Sequence, residues 1–217
     1  MSWKNNLRDY AIVAVISLLI FSILSLYIFE RRGYYNLYIM NKVLAGTSLI
    51  LLCIVLLIGP LCGFSNRFTP WLTFRKELGM ILFFLALFHS VVSLFFLPDK
   101  FPLLYFLNEG LVSFVFGLSS IILLAFIAII SNDFFMNKLG AQRWWFIQRW
   151  GARISFILIF LHLTIMKYKG WIKFFEEGGG KDLARPYLLP ASFIAFVISV
   201  ILIIVRIIDI IRNARKK

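Results

Sequence analysis

Only 15% of the 217 residues are charged, and the acidic ones are scarce, with 10 Asp and Glu against 23 Lys and Arg. Soluble domains carry roughly 25% charged residues, so an ordinary water-facing surface cannot be built from this chain. Cysteine is nearly missing as well. Cys53 and Cys62 both fall in or beside one apolar run, which argues against a secreted disulfide framework and leaves them as ordinary helix residues. No G-x-G-x-x-G stands between a strand and a helix, so a dinucleotide-binding unit is not expected. Histidine is limited to His89 and His162.

What the chain has in excess is hydrocarbon. Apolar residues make up 61% and the mean hydropathy is +0.90, against roughly 45–50% apolar residues in soluble domains. The formal charge of +13 does not point to nucleic acid, because the basic residues lie in short stretches between apolar runs and not on one face. They read as topology signals, and the expected partner is membrane lipid.

Six apolar runs, at 11–29, 43–61, 78–97, 110–130, 151–166 and 188–208, each approach the ~20 residues that cross a bilayer as a helix. The fold class is therefore all-α, a polytopic bundle of six transmembrane helices forming one domain over 1–217, in a plasma membrane. Glu30-Arg31-Arg32 follows the first run with no small-residue cleavage site, so that run reads as a retained helix. With the amino terminus inside, twelve basic residues outside the spans fall on the cytoplasmic side, including Arg67, Arg75, Arg143, Arg149, Arg215, Lys216 and Lys217, and nine fall outside, including Lys100, Lys181 and Arg185. This bias predicts both termini in the cytoplasm. Trp144, Trp145 and Trp150 before the fifth span read as an interfacial belt, as does Trp71 before the third. Trp171, Phe174 and Phe175 after the fifth suggest a short amphipathic helix along the outer interface. Gly59-Pro60 marks a kink or the end of the second span, and Glu176 to Gly180 a flexible outer turn.

Both histidines lie deep in spans, where ionisable residues are rare and functional by default. The third and fifth spans run in the same direction. His89 is 11 residues beyond Leu78 and His162 is 13 beyond Arg149, so at 1.5 Å per residue both lie roughly 16–20 Å from the inner edge. Two imidazoles at one depth on separate helices can supply both axial nitrogens to a haem iron. They can equally be two histidines hydrogen-bonded within the bundle. Ala86, Ser93 and Ser155 nearby leave room for a flat macrocycle or for close helix packing, and Lys100, Lys167, Lys169 and Arg185 are candidate propionate partners. No acid or cysteine lies at this depth to complete a zinc site. Without C-x-x-C-H, covalent haem attachment is excluded and any haem is b-type.

Phe74-Arg75-Lys76-Glu77-Leu78-Gly79 followed by Phe83-Phe84 and His89, and Leu139-Gly140-Ala141-Gln142-Arg143-Trp144-Trp145-Phe146-Ile147-Gln148-Arg149 followed by His162, resemble the ferric reductase-like transmembrane superfamily, especially the haem-binding membrane subunits of bacterial methionine sulfoxide reductase systems. The resemblance covers 43–208. It implies a six-helix core that binds b-type haem through histidines of the third and fifth helices and passes electrons across the membrane, with His89 and His162 matching the outer ligand pair. Many members carry a second histidine 13 or 14 residues before each of these. Here Arg75 or Lys76 and Gln148 occupy those positions, and none is a normal haem ligand, so one haem per chain is expected. A flavin such as FMN, or a quinone, would then bridge the inner half, with Arg75, Arg143 and Arg149 able to hold a phosphate by charge; positive-inside topology explains the same residues without a ligand.

The function expected is that of a membrane electron carrier within an oxidoreductase system. It would be fed by a cytoplasmic flavin reductase or a membrane quinol and would serve an acceptor protein at the outer face. The alternatives are a stand-alone transmembrane ferric or quinone reductase and, in another class, a scaffold or transporter, for which Arg206 and Asp209 are the only peripheral hints.

Overall fold

The computed structural model describes residues 3–180 and 182–215. Lys181, Lys216 and Lys217, counted above among the cations, lie outside the described residues, as does the side chain of Lys4. The described residues are all-α. Six helices among them are long and apolar enough to cross a membrane, which makes the chain a polytopic membrane protein, consistent with a multi-pass location in the plasma membrane.

The first span is α1 (Trp3–Arg32). Gly33 ends it at φ 79°, a left-handed conformation that a Cβ would disfavour, and the Gly33 N–H returns to the Phe29 carbonyl at 2.7 Å. Asn36 then starts α2 (Leu37–Phe64), its side-chain oxygen accepting from the Ile39 N–H at 3.0 Å. Such a cap satisfies one of the donors that a helix start leaves open. Asn36→Ala is expected to lower stability by about 1 kcal/mol, read as an earlier unfolding midpoint in detergent.

α2 is the central post. In its most apolar stretch 61% of residues are buried inside the protein, against 11–17% for the other five spans. Leu51, Leu52 and Ile58 on α2 join a core with Leu78, Leu82, Leu124, Phe156 and Leu202 from the helices around it. Pro60 does not end the span, because α2 continues through it to Phe64; a proline is tolerated in a membrane helix where neighbouring groups take up the freed backbone positions.

The third span is composite: a 3₁₀ segment (Asn66–Phe74), α3 (Arg75–Val91) and a π-helical turn (Val92–Phe96). After a short α4 (Leu103–Asn108) come α5 (Leu111–Ile129), a short α6 (Asp133–Leu139), α7 (Ala141–Glu177) and α8 (Ala191–Ala214). α7 has 37 residues, about 55 Å at 1.5 Å each, well beyond the ~30 Å of hydrocarbon. The amphipathic helix expected around Trp171 is thus the continuation of α7. No proline interrupts it, and Trp171 is buried against Phe193 and Phe196 of α8 while its Nε1–H donates to Ser192 Oγ at 3.0 Å.

Residues 185–189 fold back over the end of α1. Arg31 Nε donates to the Leu188 carbonyl and Tyr27 Oη to that of Leu189, both at 2.8 Å. Arg185 pairs with Glu30 at 2.6 Å, an exposed contact of the kind that contributes about 0–1 kcal/mol.

Candidate functional site

At the bundle end that carries the 33–36 turn and residues 185–190, six helices enclose a cavity of about 540 Å³. His89 from α3 and His162 from α7 both line it, so the fold brings together the two residues that the sequence places at one depth. Much of the wall is small or apolar, with Gly46, Ala86, Gly117 and Ala195 among its residues. Ala86 and Ser93 therefore leave space at the cavity, whereas Ser155 is fully buried outside its lining and serves helix packing.

The orientation of each imidazole follows from its second nitrogen. His162 Nδ1 lies 2.7 Å from the Ser113 backbone oxygen and 3.2 Å from Ser113 Oγ. Because a carbonyl can only accept, Nδ1 carries the proton and the lone pair is left on Nε2. His89 Nδ1 lies 2.9 Å from Asn41 Oδ1 and 3.1 Å from Asn41 O, which has the same consequence. Histidines that bind metals are held in this way, with the distal N–H committed to an oxygen. A Cβ built on Gly117 would stand 2.9 Å from His162 Nδ1 and 3.0 Å from its Cε1, so the ring occupies space that only glycine leaves free on α5.

Four cations line the cavity: Arg31, Arg32, Lys42 and Lys167. None has an acidic partner within salt-bridge distance among the described residues. Lys42 Nζ sits 3.9 Å above the Tyr38 ring. The arrangement suits an amphiphilic ligand with a flat apolar body and an anionic edge. Among the other candidates from sequence, Lys169 and Lys100 are exposed and outside the lining, and Arg185 is engaged with Glu30. No group of three or more His, Cys, Asp or Glu is placed to hold a metal ion among the described residues, so a metal at this site would depend on the two imidazoles and on a ligand of its own.

At the opposite end of the bundle, Arg75 and Arg149 gather with Arg153 and Arg206, with Asp209 close to Arg206. Arg143 is exposed. Asp209 Oδ1 accepts from Asn213 Nδ2 at 3.1 Å. Gln148 does not reach into the bundle as a ligand would; its Nε2 donates to the Ile127 carbonyl at 3.1 Å, and Trp144 Nε1 donates to that of Ile130 at 2.7 Å. Together they satisfy carbonyls that the end of α5 leaves open.

Sequence reading missed Asn41, Ser113 and Gly117, and did not assign Arg31, Arg32 or Lys42 to the site. The Ser113–Gly117 spacing of four was an available signal, because small residues at that spacing let helices approach closely. Asn41 had none, since it falls just before the apolar run of its helix.

Residues 43–152, just over half of the chain, match the family described as ferric reductase like transmembrane component. The chain is also 28% identical to the human protein Metalloreductase STEAP2 (Homo sapiens), over 78% of this chain and 40% of that protein. It thus spans about 40% of the length of this curated relative. With six membrane-length helices and a family match running from α2 into α7, the chain belongs to the ferric reductase like transmembrane component family.

Proposed function

We propose that the chain is a membrane electron-transfer subunit that holds one b-type haem between Nε2 of His89 and Nε2 of His162. The observation that carries this reading is that both rings line one cavity and both have Nδ1 committed to oxygen, which leaves two Nε2 lone pairs for a ligand there. Haem bound in this place supplies a one-electron redox centre. The protein's part is to orient the imidazoles through Asn41 and Ser113, to keep water from the apolar walls, and to balance two propionates with Arg31, Arg32, Lys42 and Lys167. With His89 and His162 both holding it, the group would favour outer-sphere electron transfer over oxygen activation.

Both termini lie in the cytoplasm in this reading, which turns the cavity toward the outer face, where an acceptor protein takes the electron. The resemblance to the membrane subunits of methionine sulfoxide reductase systems supports such an acceptor. Electrons enter from a cytoplasmic flavin reductase or a quinol, and the arginine group of Arg75, Arg149, Arg153 and Arg206 offers charge for the phosphate of FMN or a seat beside a quinone. A second reading, a transmembrane reductase of metal ions, is favoured by the name of the human relative. Copurification with an extracytoplasmic acceptor separates the two.

The test is a reduced-minus-oxidised visible spectrum of the detergent-purified chain with a pyridine haemochrome count. About one haem b per chain is expected. A monodisperse preparation without haem refutes the reading, and two haems per chain refute the expectation that Gln148, in place of a histidine, leaves the inner site without a ligand.

A further inference from the structure

The two imidazoles are held unequally. His162 Nδ1 has a backbone carbonyl at 2.7 Å, an acceptor that no side-chain replacement removes. His89 Nδ1 faces two oxygens of a single residue, Asn41 Oδ1 at 2.9 Å and Asn41 O at 3.1 Å. The Asn41 amide is itself oriented. Its Nδ2 donates to Ser93 Oγ at 2.8 Å, and a flipped amide would set a donor against the His89 N–H. Asn41 is 1% exposed on the most buried helix, and Ser93 lies in the π-helical turn that follows α3. Both residues line the cavity.

We infer that Asn41 is a positioning residue that, through the Asn41–Ser93 hydrogen bond, sets the electron-donating strength of His89 and with it the redox potential of the group in the cavity. The inference rests on the haem reading. An acceptor at Nδ1 moves electron density toward Nε2, and a stronger acceptor makes the imidazole a better donor, which favours the oxidised metal. A carboxylate accepts more strongly than a carboxamide. Removing the side-chain acceptor leaves only the more distant backbone oxygen and strands the Ser93 hydroxyl.

The experiment is potentiometry of the haem in the full chain for Asn41→Asp and Asn41→Leu, beside the original protein. Asn41→Asp is expected to shift the reduction equilibrium about tenfold toward the oxidised form, a fall of about 59 mV for one electron; Asn41→Leu is expected to shift it the other way. Potentials unchanged in both variants at equal haem content overturn the inference. A purified chain that carries no haem refutes the parent reading instead. In that case, or if the variants alone lose haem, ¹⁵N NMR of the two histidines decides. His89 protonated at Nδ1, with a resonance that moves in both variants, supports the role of Asn41, while protonation at Nε2 or an unmoved resonance overturns it.

Discussion

Replacing either His89 or His162 by alanine is expected to remove haem from the protein completely while leaving the bundle folded. In the haem reading each ring supplies one of the two nitrogens that bind the iron, and the other groups in the lining that could reach a metal, Met166 among them, lack the oriented Nε2 that Asn41 and Ser113 give the imidazoles. Neither histidine belongs to the core that holds the helices together, which is built on Leu51, Leu52, Ile58, Leu82 and their neighbours. Truncation therefore enlarges a cavity that already exists and opens no new void in the packing. The measurement is Soret absorbance per protein in a monodisperse size-exclusion peak, with and without added imidazole. Imidazole is expected to restore part of the absorbance in His89→Ala by occupying the vacated space. Wild-type haem content in both variants would show that the axial assignment is wrong.

The next largest effect is expected at Gly117. A methyl group there would meet His162 Nδ1 at 2.9 Å and Cε1 at 3.0 Å, closer than carbon atoms pack. The ring cannot retreat freely, because its bond to the Ser113 carbonyl at 2.7 Å ties it to the same helix one turn earlier. Overpacking of this kind costs about 1–3 kcal/mol. At about 1.4 kcal/mol per decade, Gly117→Ala should weaken haem binding about tenfold or more in a titration of the unloaded protein. Gly79→Ala is the control: a Cβ there has nothing within 4 Å, so affinity should not change. Equal affinity in Gly117→Ala and the original protein would mean that His162 does not need its present orientation.

Hydropathy made the six spans legible, since each run had to satisfy its own backbone in lipid and so had to be a helix. The depth of the histidines was legible for the same reason: a helix converts residue number into height. Their convergence was a further step, because height leaves the rotation of each helix open. The rim cations show the difference. Lys100, Lys169 and Arg185 were expected there beside Lys167, but the cavity is lined by Arg31, Arg32, Lys42 and Lys167, while Lys100 and Lys169 are exposed and Arg185 pairs with Glu30. Gln148 shows it again. Its position suggested a lost ligand, and its hydrogen bond to Ile127 reveals a cap for α5 that depends on where that helix ends.

Composition and periodicity by themselves determined that this protein is a membrane bundle of six helices with its two histidines at one level, since those properties depend on local hydrophobicity and on the rise per residue. Tertiary structure decided which groups meet across helices: Asn41 of α2 against His89 of α3, and Ser113 and Gly117 of α5 against His162 of α7. Such contacts are set by the packing of whole helices, α2 against α3 and α5 against α7, and residues 48 and 49 positions apart in the chain leave no local pattern that records them.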